Sequence, residues 1–125
     1  MLYAIDSGKY VERLPHEAEF EKWRSKLDDD DYEKIVQELL KIINGNQIIT
    51  AGWIHGKDWT GTVYEPIFEA CGQNVTQAGF FYGLILFDLL MNDEDKVWGF
   101  GKFDKDGEPI NSTTYFELSN PPAYK

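Results

Sequence analysis

Basic residues are scarce in this chain: twelve Lys and Arg stand against twenty-two Asp and Glu, a formal charge of −10 at pH 7. Between Lys57 and Lys96 there are none at all. Proteins held to nucleic acid by phosphate charge concentrate Lys and Arg, so direct nucleic-acid binding is set aside. The same deficit disfavours an anionic membrane surface. Cysteine is limited to Cys71, which rules out an intrachain disulfide. With only His16 and His55 beside it, the chain has too few soft ligands for a dedicated zinc site. Phosphate-cradling glycine motifs, GxxxxGK or GxGxxG opening a helix, are absent, and no cofactor is expected. The longest apolar run, Ala78 to Met91, is broken by Asp88 and falls short of the roughly 20 residues a membrane span needs. It reads as a core helix. The opening residues, Met1 to Asp6, carry no basic region followed by a long apolar one, so a cytoplasmic protein is expected. The sequons at Asn74 and Asn111 would matter only in a secreted chain.

What is present is enough for one folded domain spanning 1–125. Hydrophobic residues make up 42% and charged residues 27%, and no repeat or low-complexity linker divides the chain. Residues 2–5 and 10–14 flank the turn-forming Asp6-Ser7-Gly8-Lys9 and predict an N-terminal hairpin. Pro15 suits the first turn of a helix carrying Phe20, Trp23 and Leu27 at helical spacing. In the run Asp28-Asp29-Asp30-Asp31, Asp30 with Glu33 three residues on fits a capping box for a second amphipathic helix. That helix buries Ile35, Val36, Leu39, Leu40, Ile42 and Ile43 and stops at Gly45.

Gln47 to Ile54 predicts a strand, and His55 to Thr62 a polar loop. A short helix over Pro66 to Cys71 ends at Gly72, and Asn74 or Thr76 caps the apolar helix 77–91. Val97 to Phe103 and Ile110 to Leu118 flank an Asp106-Gly107 turn as a C-terminal hairpin, and the tail from Ser119 frays. The expectation is an α+β domain with a largely antiparallel sheet, a central apolar helix and an amphipathic helix pair.

Two groups of residues are candidates for function. The stretch 58–95 carries Asp58, Glu65, Glu69, Asp88, Asp93, Glu94 and Asp95 with no basic residue between them. Such carboxylates either solvate an apolar segment or form a face that steers a basic partner. On the second reading Asp58, Trp59, Glu65, Asp93, Glu94 and Asp95 bind the partner, with Trp59 as an aromatic anchor. The other group is His55, Asp58, Trp59 and Tyr64, where an imidazole beside a carboxylate would line a ligand pocket and act as a base.

Other chemistry is poorly supported. Cys71 has only two histidines as potential bases and no motif around it. A calcium loop with Gly107 at its sixth position would begin at Lys102 and need a carboxylate where Thr113 stands. Glu65 and Glu69 are four apart, but glycosidase pairs are defined by separation across a cleft. Gly79 and Gly83 suit close helix packing. Asp88 either lies on a wet stripe or is buried and needs a partner.

The leading expectation is a small acidic non-enzymatic interaction protein. It would be an inhibitor, immunity or anti-defence factor docking on a basic surface of a protein target such as a nucleic-acid-binding enzyme. DNA mimicry is a sharper version, hinted at by the 28–31 and 88–95 carboxylates. The alternative is a small enzyme or ligand-binding domain with its pocket around the 55–65 loop. A third reading is a homo-oligomer, with Trp98 and Phe100 on an open sheet edge or face.

Overall fold

The computed structural model describes residues 1–5, 7–50, 61–100 and 114–121. Five short strands form one mixed sheet: β1 (Leu2–Ala4), β2 (Lys9–Tyr10), β3 (Ile48–Thr50), β4 (Trp98–Phe100) and β5 (Thr114–Glu117). Their order across the sheet is β2-β1-β4-β5-β3. Three of the four pairings are antiparallel, as expected for a largely antiparallel α+β fold. The fourth, β1 with β4, is parallel and joins the two terminal regions in the middle of the sheet. Both predicted hairpins form, with a shorter second strand in the first: only Lys9 and Tyr10 pair. The loop of the C-terminal hairpin lies outside the described residues, as do residues 51–54 of the predicted central strand.

Four helices are described: α1 (Glu17–Arg24), α2 (Asp29–Gly45), α3 (Glu65–Ala70) and α4 (Val75–Met91). Helix α4 is the centre, as its all-round apolarity implies. Ten of its residues are buried, Gly79 and Gly83 among them, and α1, α2 and α3 all pack on it. No helix among the described residues is long and apolar enough to cross a membrane. Trp23, Leu27, Ile35, Leu39, Ile67 and Phe81 build the core beneath the helices. Leu2, Ile43, Ile49, Trp98 and Tyr115 meet Leu86, Phe87 and Leu90 of α4 in the core against the sheet.

Three local expectations are corrected. Helix α1 starts at Glu17, with His16 at its N-cap in the left-handed region (φ 54°), so Pro15 precedes the helix instead of opening it. The cap of α2 is Asp28, whose carboxylate accepts from the Asp30 N–H at 3.2 Å, two residues before the expected Asp30. The run of four aspartates offers several caps of equal chemistry, and burial of Leu27 on the core selects the earliest. In the body of α2 only Ile35, Leu39 and Ile43 are fully buried, a narrower stripe than expected, with Val36, Leu40 and Ile42 at its edges.

Candidate functional site

An open cleft of about 590 Å³ lies between the start of α2 and helix α3. Its charged lining is Lys26, Asp28, Asp31, Lys34, Glu65 and Glu69, over an apolar floor that includes Leu27, Val63, Pro66 and Ala70. Each wall follows from local sequence. Asp28 and Asp31 are placed by the helix start, where carboxylates meet the positive end of the backbone dipole. Lys34 follows Asp31 by three residues and so shares its side of α2. Across the cleft, Glu65 occupies the first turn of α3 and Glu69 stands one turn further on.

Three of the four carboxylates here are held by neutral donors. Asp28 caps α2, Glu65 accepts from the Gly61 N–H at 3.2 Å, and Glu69 accepts from the Gln73 side-chain amide at 3.2 Å. Among the described residues the ion pairs are Arg24–Asp29, Lys41–Glu38 and Lys96–Glu117, none of which involves a cleft residue. Among the described residues no group of three or more His, Cys, Asp or Glu is arranged to hold a metal ion. The arrangement suits a guanidinium or ammonium group, which carboxylates bind through charge-assisted hydrogen bonds.

The expected site residues are divided by the fold. Glu65 is in the cleft. His55, Asp58 and Trp59 lie outside the described residues. Tyr64 is buried: its ring meets Tyr82 edge-on at 5.2 Å, and burial pushes its phenol pKa up. It therefore belongs to the core and not to a wall of the cleft. Asp93, Glu94 and Asp95 sit in the turn between α4 and β4. Glu94 and Asp95 are exposed, but Asp93 is employed within the fold. One of its carboxylate oxygens accepts from the backbone N–H of Asp95 (2.9 Å) and of Lys96 (3.3 Å). The other accepts from the Trp98 indole at 3.0 Å, and the Asp93 carbonyl accepts from the Met1 amino group.

Lys96 extends that structural cluster. It donates to the Ile43 carbonyl at 3.2 Å, near the far end of α2. The two acidic groups are therefore at opposite ends of α2, with roughly 18 Å of helix between Asp31 and Ile43. They do not form one face.

Cys71 lies in the core, where burial pushes its thiol up to about 11, so no thiolate is available at neutral pH. The cleft's charged residues missed as site residues are Lys26, Asp28, Asp31, Lys34 and Glu69. The run 28–31 was legible as a helix start, and its second use depended on where α3 would pack. Compared with protein-family models, with curated proteins and with solved structures, the chain matches none.

Proposed function

We propose that this chain is a non-enzymatic interaction protein, of the inhibitor, immunity or anti-defence kind, that docks its α2–α3 cleft on a basic surface of a protein target. The observation that supports it is the cleft's charge. Four carboxylates line it, and among the described residues none is ion-paired with the chain's own lysines or arginines. With Lys26 and Lys34 also in the lining, four carboxylates leave the cleft net acidic, and a partner's Arg or Lys supplies the missing counter-charge while its stem covers the apolar floor. The exposed pair Glu94 and Asp95, at the far end of α2, lies outside the cleft and adds only to the long-range field that a basic partner meets.

The test is affinity capture from a lysate of the source cells at low and high salt. Wild type is compared with Asp31→Asn/Glu65→Gln/Glu69→Gln and with Glu94→Gln/Asp95→Asn. Wild type retains one discrete protein, high salt releases it, and the triple variant loses at least about tenfold in retention. The double variant loses less, since charge outside the contact acts mainly on association rate. Equal retention by wild type and the triple variant sinks the reading.

A second reading has one observation in its favour. The cleft volume is within the range of small-molecule sites, and Thr62, Val63 and Glu65 bring the end of the 55–65 loop into its wall. If nothing is retained by wild type at either salt concentration, ligand screening by thermal shift against wild type and His55→Ala is the decisive comparison.

A further inference from the structure

Six asparagines occur in the chain, and Asn44 is the one followed by glycine. In that pair the next backbone nitrogen reaches the side-chain carbonyl carbon most freely, because glycine has no Cβ in the way and the widest choice of φ and ψ. Hydrogen bonding then separates Asn44 from the other described asparagines. The Asn46 side-chain amide donates to the Ile42 carbonyl at 2.8 Å. Asn74 accepts from the Gln77 N–H at 3.0 Å, and the Asn92 amide donates to Asp88. Asn120 is followed by Pro121, whose nitrogen has no proton to give up. The Asn44 side chain makes no hydrogen bond among the described residues, and Asn44 and Gly45 are both exposed.

Placement at the end of α2 gives the pair room to react. Gly45 is the last residue of the helix, and Asn46 after it is extended (φ −135°). Apart from its own helix, no described atom lies within 4 Å of where a Gly45 Cβ would stand. The carbonyls of Ile42 and Ile43 are held, the first by the Asn46 amide and the second by the Lys96 ammonium at 3.2 Å. Gly45 lies beyond both anchors, in the part of a helix that opens at least cost. The last turn of α2 also has no basic residue to favour its negative dipole end.

We propose that Asn44 is a site of spontaneous amide-to-acid conversion through a cyclic imide, which ages the α2–β3 junction. The Gly45 nitrogen loses its proton to solvent and bonds to Cγ of Asn44. The Cγ–Nδ2 bond breaks, and the amide nitrogen takes up a proton and leaves as ammonia. Water then opens the imide. Addition at Cγ leaves an aspartate at position 44; addition at the main-chain carbonyl leaves an isoaspartate, with the chain running through the side chain. One water enters and one ammonia leaves in each case, and nothing is oxidised or reduced. Both products place a carboxylate at the negative end of the helix dipole, where it is disfavoured. The isoaspartate also adds one methylene to the chain between α2 and β3, which begins at Ile48. β3 is the end strand of the sheet and its Ile49 is buried, so the lengthening pulls on a segment anchored at both ends.

The test is mass spectrometry of the folded chain after incubation for days to weeks, at neutral and at mildly alkaline pH, with fragmentation to locate the change. A protein-isoaspartate methyltransferase with labelled S-adenosylmethionine reports isoaspartate separately. Position 44 converts before Asn46, Asn74 and Asn92, faster at the higher pH, and methyl-accepting sites appear in step with it. Asn44→Gln removes that product. Gly45→Ala, where the structure has room for a methyl group, keeps the fold by circular dichroism and slows conversion at least about tenfold. Converted chains, separated by ion exchange, melt at a lower temperature than unconverted ones. Conversion confined to the urea-unfolded chain overturns the inference, as does an earlier change at Asn46, Asn74 or Asn92. An unchanged rate in Gly45→Ala, or equal melting of converted chains, overturns it too. Neither the cleft nor its partner takes part, so failure of the docking reading leaves this result untouched.

Discussion

Asp88 stands near the C-terminal end of an otherwise apolar helix, half-buried, with no cation beside it among the ion pairs of the described residues. Its partner is an amide. Asn92 Nδ2 donates to the Asp88 carboxylate at 3.1 Å and to the Asp88 carbonyl at 2.9 Å. Burial raises its carboxyl pKa above the usual 3.8, and the Asn92 bond offsets only part of that. The folded state therefore binds the Asp88 proton more tightly than the unfolded state. Its contribution to stability is fully present below the unfolded value and is lost as pH rises through the folded one. Asp88→Asn keeps the acceptor for Asn92 and removes the desolvated charge. Its melting temperature at pH 7 should exceed wild type by about 1–3 °C, a gain that disappears below about pH 3.5. An equal gain at both pH values would mean that packing, not ionisation, is responsible. Tyr32 gives an independent readout: burial raises its phenol pKa first and the Asp88 charge second, against the Arg24 guanidinium 4.0 Å from the ring centroid. In Asp88→Asn, ultraviolet titration should find the Tyr32 phenol ionising at lower pH than in wild type.

The corner between α3 and α4 shows how much an element's ends owe to single positions. Gly72 and Gln73 are both left-handed, at φ 67° and 61°. The Gln73 N–H donates to the Phe68 carbonyl at 2.8 Å, and the Gly72 N–H to Glu69 at 3.0 Å, closing the end of α3. Asn74 then caps α4 by accepting from the Gln77 N–H at 3.0 Å. Gly72→Ala places a Cβ in a conformation that disfavours one, and should cost about 1 kcal/mol. Asn74→Ala should cost a similar amount, about 1 kcal/mol. Urea denaturation checks both: each lowers the midpoint and leaves the slope unchanged. This corner was legible in the sequence because glycine after a helix and asparagine before an apolar run each have a local cause. The strands were less so. The Leu2–Ala4 and Trp98–Phe100 segments are apolar on both faces, and a shift of one residue exchanges the faces. Trp98 and Phe100, expected on an open edge or face, are on the covered side: Trp98 is fully buried, and Phe100 packs on Phe87 and Tyr115. The opposite side of the sheet carries Tyr3, Phe116 and Ile48 instead. The parallel pairing of β1 with β4 joins residues at opposite ends of the chain, and no local pattern announces it. The cleft was half legible for the same reason: Glu65 stood out in an acid-rich stretch, while Asp31 acquired its role only from the packing of α3.

For the whole molecule, the net charge sets a balance that salt can shift. Twenty-two carboxylates and twelve basic groups leave repulsion in the compact state that the unfolded chain relieves by expanding. The attractive ion pairs among the described residues are weak opponents: Asp29 and Lys41 are largely exposed, and such pairs contribute little. Lys96–Glu117 is better shielded, but Lys96 also holds the Ile43 carbonyl and lies 5.4 Å from the Trp98 ring centroid, so its role does not rest on one carboxylate. Repulsion should therefore win. Between about 20 mM and 500 mM NaCl the melting temperature should rise by about 4 °C, as screening shortens from tens of ångströms to a few. The effect has an address. Asp31→Asn/Glu65→Gln/Glu69→Gln removes three cleft charges at once, and should melt higher than wild type in low salt and gain less from added salt. The same variant is the one expected to lose the basic partner, so the site would be less stable than it needs to be for folding alone. A melting temperature that falls with salt, or a triple variant that is less stable than wild type at low salt, would show instead that these carboxylates are satisfied within the chain and leave the cleft no reason to seek a cation.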